Sequence, residues 1–580
     1  MTELSEQPSD PSGGFSTDPS GLAPAVPPSV VRLHHGDNLD LRIGPVAKRI
    51  GEDVVRMLAY NGSIPGPVLH VDEGSTIGVE VRNDGDTEAT VHWHGLRLEN
   101  RYDGVPHETQ APIPVGATFG YEVQFPDPGF YWYHPHVRED YDLEMGLYGT
   151  IIVEPADPAY WPLADRQLSI TLDDLLMEEG HIAPFDPAGP TYTAMGRFGN
   201  VMLTNGDTSF SEEVAVGEVV RLYLVNTANT RTFNVALPGA HMKLVGGDSG
   251  RYERETFVDE VLLAPSERAI VDVLFTTAGE VHLEHRPPGG DLYTLGVFSV
   301  SGTAAGDAAR AFDTLRTDPV LTAEREALAH HLERPPDKIL GFSSLMPILY
   351  GNAGAVAELY ACSMHPEVTA TTAETCPQCG MKLVAVQPTV YACPMHPEVT
   401  ATTPETCPRC GMKLVPASAA ATTHEGEGHH AGGHGHDSGD GIEWEDLMPD
   451  INRQTNPTNM IWKVIDRQTG DENAAIKWSF AVGDRVKIRL VNEMEGSEHP
   501  MHHPFHIHGA GRFLVLSRQG VPETNLLWKD TVLVPAGHTV DILLDVSNPG
   551  RWMAHCHIAE HNQSGMMFSF DVLRAASSPV

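Results

Sequence analysis

An all-β fold of several sandwich domains is predicted by three features of this chain. Short segments alternate apolar and polar residues: TIGVEVRND (76–84), GYEVQFPD (120–127), VKIRLVN (486–492) and HTVDILLDV (538–546). Each is closed by Gly, Pro, Asn or Asp, the punctuation of half-buried strands in β-sandwiches. The length, 580 residues, suits three or four domains. One strand–loop–strand unit also recurs: VRLYLVNTANTRTFNVALPGAHMKLVGGD (220–248) parallels VKIRLVNEMEGSEHPMHHPFHIHG (486–509).

In chain order, residues 1–30 are acidic and rich in Pro and Ser, without a basic stretch followed by an apolar run. They read as a disordered arm and not a signal peptide, so a cytoplasmic location is expected. Sandwich domains are placed at 31–156 and 157–302. A connector over 303–337 contains TAEREALAHHLERPPD, whose composition is helical up to a proline pair. The run KILGFSSLMPILYG, within 338–358, is a candidate first strand of the third domain, which resumes over 443–575. Between these lie two cysteine-bearing repeats, 359–386 and 390–416, and a His/Gly-rich linker, 417–442.

Chemistry concentrates in histidines. His92 and His94, His134 and His136, His506 and His508, and His555 and His557 form four pairs at i, i+2 spacing. On a strand that spacing puts both rings on one face, and imidazole suits copper. Cys556 lies between His555 and His557 and so faces the opposite way, letting one segment touch a metal site on each side. His561 and Met566 follow it, and His503 precedes the 506/508 pair by three residues. A cysteine, two histidines and a weak thioether are the ligands of a blue-copper electron-transfer site.

The motifs HWHG (92–95), YWYHPH (131–136), HPFHIHG (503–509) and HCHIAEHNQSGMM (555–567) resemble the four copper-binding motifs of the multicopper oxidases, a family that includes laccases and cuprous oxidases. The resemblance implies three cupredoxin-like β-sandwich domains, the middle one copper-free, with four copper ions. His503, Cys556, His561 and axial Met566 would hold type 1 copper. His92 and His506 would hold type 2. His94, His134 and His557 would hold one type 3 copper, and His136, His508 and His555 the other. The implied reaction couples four one-electron oxidations of a small reducing substrate, Cu(I) or a phenol, to reduction of O2 to water. Asp103, in RYDGVP, matches the acidic residue the family keeps near type 2 copper and would relay protons. Where several bacterial relatives carry a second acid, directly after the last type 1 histidine, this chain has Asn562.

The six remaining cysteines fall in the two repeats. Each reads C-x2-H-x10-C-x2-C: Cys362, His365, Cys376 and Cys379, then Cys393, His396, Cys407 and Cys410. A Cys3His set closes a tetrahedral site; zinc is the usual occupant, while Met364 and Met381, then Met395 and Met412, favour Cu(I). So short a segment cannot build a core, so metal supplies its folding energy. Both repeats resemble the heavy-metal-binding domain of copper-exporting ATPases and copper/silver efflux adaptors. The linker after them holds His424, His429, His430, His434 and His436 among glycines and reads as flexible.

With 38 basic and 78 acidic side chains the net charge is −40, which excludes nucleic acid as a partner. No apolar run approaches the roughly 20 residues that span a membrane. Oxidation of Cu(I) in copper tolerance is the expected function. Laccase-type oxidation of phenols and aromatic amines is the alternative, and a copper-binding or storage protein the alternative from another class. Oligomeric state is not encoded in any of these features.

Overall fold

The computed structural model describes residues 14–303, 306–345, 439–494 and 500–574, and six short strands within 359–416. Residues up to 346 and from 435 onward form one compact unit; residues 347–434 form a second.

The first unit consists of three cupredoxin-like β-sandwiches, each with its own buried core. The first pairs a four-stranded sheet, built on Asn38–Ile50, with a five-stranded sheet ordered Val30–Leu33, Val68–Asp72, Gly149–Glu154, Gly129–His134, His92–His94. Alternation explains the outer strands: Thr76–Asn83 buries Ile77, Val79 and Val81 and turns Glu80 and Arg82 outward. Each such fully buried aliphatic side chain contributes about 1.5–3 kcal/mol. His92–His94 and Gly129–His134 are buried on both faces, because their second face lines the site described below.

The second and third sandwiches share one plan. In each, a five-stranded sheet runs parallel edge strand, two antiparallel strands, a short inner strand, then an antiparallel edge strand. The inner strand is Phe233–Ala236 in the second and His503–Ile507 in the third. In the second sandwich that strand carries no histidine.

Lys338–Leu345 lies between Ile461–Asp466 and Arg485–Asn492 in the third sandwich, parallel to the latter. The chain therefore enters the third sandwich before the cysteine-bearing repeats and completes it after them. Within the connector, Pro319–Glu333 is helical. Asp318 caps it, its carboxylate accepting from Val320 N and Leu321 N, and Pro319 suits the first turn.

The expected disordered arm over 1–30 needs correction over 14–29. Ala25 N donates to Ala47 O and Val26 N to Gly62 O, both at 2.9 Å. The Phe15 ring stacks on Tyr141 with centroids 3.9 Å apart. Proline-rich sequence forms no ladder of its own, yet here it lies extended against a strand that supplies partners. No helix among the described residues is long and apolar enough to cross a membrane.

In the second unit the two repeats share a topology. Leu359–Ala361 is flanked by Thr369–Ala370 and Val384–Val386, and Tyr391–Cys393 by His396–Ala401 and Val415–Pro416. Cys393 and His396 face each other in the register of the second repeat. The expected ligands Cys362, His365, Cys376, Cys379, Cys407 and Cys410 lie outside the described residues, as do Met364, Met381, Met395, Met412 and the histidines of the linker.

Candidate copper centres

Strand register explains why residues far apart in sequence meet. In the first sandwich His92 pairs with His134; in the third His506 pairs with His555 and Phe505 with Cys556. The two sandwiches bring these pairs together, so that His92 and His508 rings lie 4.0 Å apart and His136 and His555 5.1 Å apart. All eight paired histidines are buried. Their donor atoms form three-residue groups (His92, His94, His134; His92, His506, His508; His136, His508, His555) in which every atom lies within 4.8 Å of the others. His557 joins the cluster, its ring 5.0 Å from His94 and 5.2 Å from His134.

One ring nitrogen of each histidine faces this common space. His92, His134, His506 and His557 present Nε2 and His94 presents Nδ1, all buried and without a hydrogen-bond partner. The Nε2 atoms of His136, His508 and His555 meet only one another, at 3.3 and 3.1 Å. Desolvation keeps the rings of His94, His134, His136, His506, His508, His555 and His557 neutral, pushing His136 down to about 3. Converging neutral imidazoles whose inward nitrogens find no partner outside the cluster are what a group of cations requires, so these residues fit copper.

In five of these histidines Nδ1 is held from outside the cluster. His92 Nδ1 donates to Asp103 O (2.7 Å), His506 Nδ1 to Asp530 O (2.9 Å) and His555 Nδ1 to Cys556 O (2.9 Å). His508 Nδ1 donates to Asp103 Oδ2 at 2.8 Å. His134 Nδ1 donates to Pro135 O (2.9 Å) and lies 3.1 Å from Glu139 Oε1. Such outer partners fix tautomer and ring orientation. Asp103 therefore touches two histidines of the cluster, its Oδ1 lying 3.5 Å from His92 Nδ1.

A second centre lies on the opposite face of Gly550–Cys556. Cys556 Sγ is 3.5 Å from His503 Nδ1 and 3.8 Å from His561 Nδ1. Met566 is buried in the same apolar cluster, and its carbonyl accepts from Cys556 N at 3.1 Å. Burial pushes the Cys556 thiol well up, so a cation beside it is what would hold it as thiolate. His503, Cys556, His561 and Met566 are all wholly inaccessible. Trp462 covers both imidazoles, its ring 4.9 Å from His503 and 4.1 Å from His561.

Three contributors escaped sequence reasoning. Trp462 carries no ligand signal. Glu139, three residues after His136, reaches back to His134; a carboxylate one turn past a ligand pair was the available clue. Asp530 bonds His94 Nε2 through Oδ1 at 3.0 Å, and an acidic residue at the start of the apolar run TVLV was its only trace.

These features define a three-sandwich protein with a mononuclear cysteine site joined by a single residue on each side to a polyhistidine cluster. The comparisons agree: multicopper oxidase models match residues 46–158 and 447–576, and a heavy metal binding domain model matches 359–386 and 390–417. The chain therefore carries multicopper oxidase domains near both ends and two heavy metal binding domains between them. It is 32% identical to the multicopper oxidase MmcO of Mycobacterium tuberculosis over 45% of this chain and 56% of that one. It is 27% identical to copper resistance protein A of Pseudomonas syringae pv. tomato over 46% of this chain and 50% of that one. The chain thus spans about half the length of these two relatives. A laccase-like multi-copper oxidase from Ochrobactrum sp. shares the fold, with TM-score 0.62, 20% identity and coverage of 95% of this chain and 100% of that one.

Proposed function

We propose that this protein is a copper-dependent oxidase that removes single electrons from Cu(I) and passes four of them to O2, forming water. The carrying observation is the cluster of eight buried imidazoles, five of whose inward nitrogens have no partner while the other three meet only one another, with Cys556 between two of its members. Four copper ions placed as the family resemblance implies would supply one-electron acceptance at the cysteine site and collective reduction of O2 at the cluster.

The chain's own residues supply the rest. His555-Cys556-His557 links the two centres through the backbone of one residue in each direction. Trp462 and the surrounding apolar cluster exclude water from His503 and His561, keeping the environment of the cysteine site fixed. Asp103, buried against His92 and His508, is the carboxylate placed to pass protons to oxygen at the cluster.

Three observations support Cu(I) as the donor. Thioethers, which suit Cu(I), lie in the same buried cluster as Cys556: Met195, Met460, Met494 and Met501. Ser344, next to last in the strand from which the chain departs towards the metal-binding repeats, has its Oγ 3.8 Å from Met494 Sδ. Glu443, soon after the chain returns, donates its N–H to Nδ1 of His502, the neighbour of His503. Tethering at these points raises the effective concentration of any Cu(I) the repeats capture. In this reading the repeats bind Cu(I) through their Cys3His sets, and their thiols stay reduced most easily in cytoplasm.

Oxygen uptake with Cu(I) or a diphenol as donor tests the proposal, comparing the native chain with one carrying Cys376, Cys379, Cys407 and Cys410→Ser. Selective loss of Cu(I) turnover supports it. Equal rates in the two proteins, with the diphenol far the better donor, make the protein a laccase-type enzyme. Copper binding without oxygen uptake from either donor makes it a storage protein.

A further inference from the structure

His94 is the odd member of the cluster. Its neighbours His92, His134, His506, His508 and His555 donate from Nδ1 and turn Nε2 inward; His94 bonds outward through Nε2 and turns Nδ1 inward. A neutral imidazole has one N–H and one lone pair, and the partner of the outer nitrogen selects which is which. The outer partner here is Asp530, on the other side of the chain's organisation, 436 residues away in sequence.

We propose that Asp530 is a positioning residue that fixes His94 as its Nε2–H tautomer and thereby directs the Nδ1 lone pair into the copper cluster. This role for Asp530 rests on the copper-cluster reading above and lies one residue beyond the ligand set. Asp530 is buried, and both its oxygens are engaged by Arg268: Nη1 donates to Oδ1 at 2.7 Å and Nη2 to Oδ2 at 2.5 Å. A carboxylate forked by a guanidinium can only accept, so the proton in the His94–Asp530 bond belongs to Nε2. The lone pair is left on Nδ1, where no protein group meets it.

The neighbouring residue extends the device. Thr531 Oγ1 donates to Asp530 Oδ1 (2.9 Å) and lies 3.2 Å from His94 Nε2 and 3.1 Å from His506 Nδ1. Asp530 O accepts from His506 Nδ1. The rings of His94 and His506 stack at 3.8 Å with an interplanar angle of 22°. Two consecutive residues thus impose opposite tautomers on two stacked rings. Antiparallel pairing of His506 with Thr531 fixes the position of this dipeptide. Arg268, from the second sandwich, also donates from Nε to Phe130 O of the first at 3.0 Å. One guanidinium therefore ties the clamp in the third sandwich to both others.

Asp530→Asn tests this, because an amide cannot satisfy both His94 and the two Arg268 donors. Its NH2 group must face either Arg268 or His94, where it competes for the Nε2 position. The copper-loaded full chain is titrated with a copper chelator while copper count, the blue absorption of the cysteine site and electron paramagnetic resonance are recorded. The expected result is about ten- to a hundred-fold weaker retention of cluster copper with the blue band intact. Unchanged retention and resonance in the variant overturn the proposal while leaving the cluster itself standing. A native chain that binds no cluster copper overturns instead the reading on which it rests. If the variant does not fold, nitrogen chemical shifts of histidine-labelled, metal-free native chain decide. A proton on His94 Nε2 upholds the assignment, and a proton on Nδ1 ends it.

Discussion

Asn562 Nδ2 donates to Glu139 Oε2 at 2.7 Å, joining the helix that carries His561 to the residue that supports His134. Besides Cys556 and its flanking histidines, this bond is a second link between the cysteine site and the histidine cluster. Asn562 is itself no acid, but a carboxylate is close by. Glu139 supplies it from the first sandwich, its buried carboxylate 3.1 Å from His134 Nδ1. A carboxylate at 562 would face another at 139; an amide donates instead.

Asn562→Ala removes that donor and leaves one oxygen of Glu139 unsatisfied. A cost of about 1–3 kcal/mol follows, read as a lower denaturant midpoint at unchanged slope. The same variant shifts the spectra of both copper centres, whereas a change confined to stability would show the link to be structural only.

Cys556→Ser replaces the soft ligand between the two centres by a hydroxyl. Blue absorption and turnover are both lost, while copper count at the histidine cluster, measured by elemental analysis, stays close to native. Retained colour would mean that Cys556 is not the ligand.

Asp103→Asn keeps an acceptor for His508 but cannot carry a proton. Oxygen consumption slows by about a hundredfold or more, while anaerobic bleaching of the blue band by donor proceeds nearly as in the native chain. Stopped-flow measurement of the two half-reactions separates them, and undiminished oxygen uptake would remove Asp103 from proton transfer.

Glu144 accepts from Arg197 Nε at 3.1 Å in the interior, and burial pushes its carboxyl up to about 7. Since the folded value exceeds the unfolded one, folding takes up a proton between them. The resulting stability is fully present below the unfolded value and is lost as pH rises through about 7. Glu144→Gln removes this dependence, by up to about 1.4 kcal/mol per pH unit across that window. Chemical denaturation of both proteins at about pH 5 and about pH 8 gives the comparison; equal slopes would contradict it.

The candidate ligands were legible because their spacing is local. Histidines at i, i+2 and a cysteine between two of them report the geometry of single strands, which any stretch of sequence displays. The same holds for the strands themselves, whose alternation at 76–84 or 538–546 is visible in a few residues. Residues 14–29 were misjudged for the converse reason: their order comes from Ala47, Gly62 and Tyr141, not from anything within the segment.

Local pattern was thus enough for the all-β class, the candidate ligands and the two cysteine-rich repeats. Tertiary structure alone decided which nitrogen each histidine presents and which carboxylate enforces it. Asp530 against His94, Arg268 against Asp530 and Asn562 against Glu139 are contacts between sandwiches, separated by hundreds of residues. Strand periodicity carries no information about them, because they arise only when separately formed sheets pack and bury charges that must then find one another.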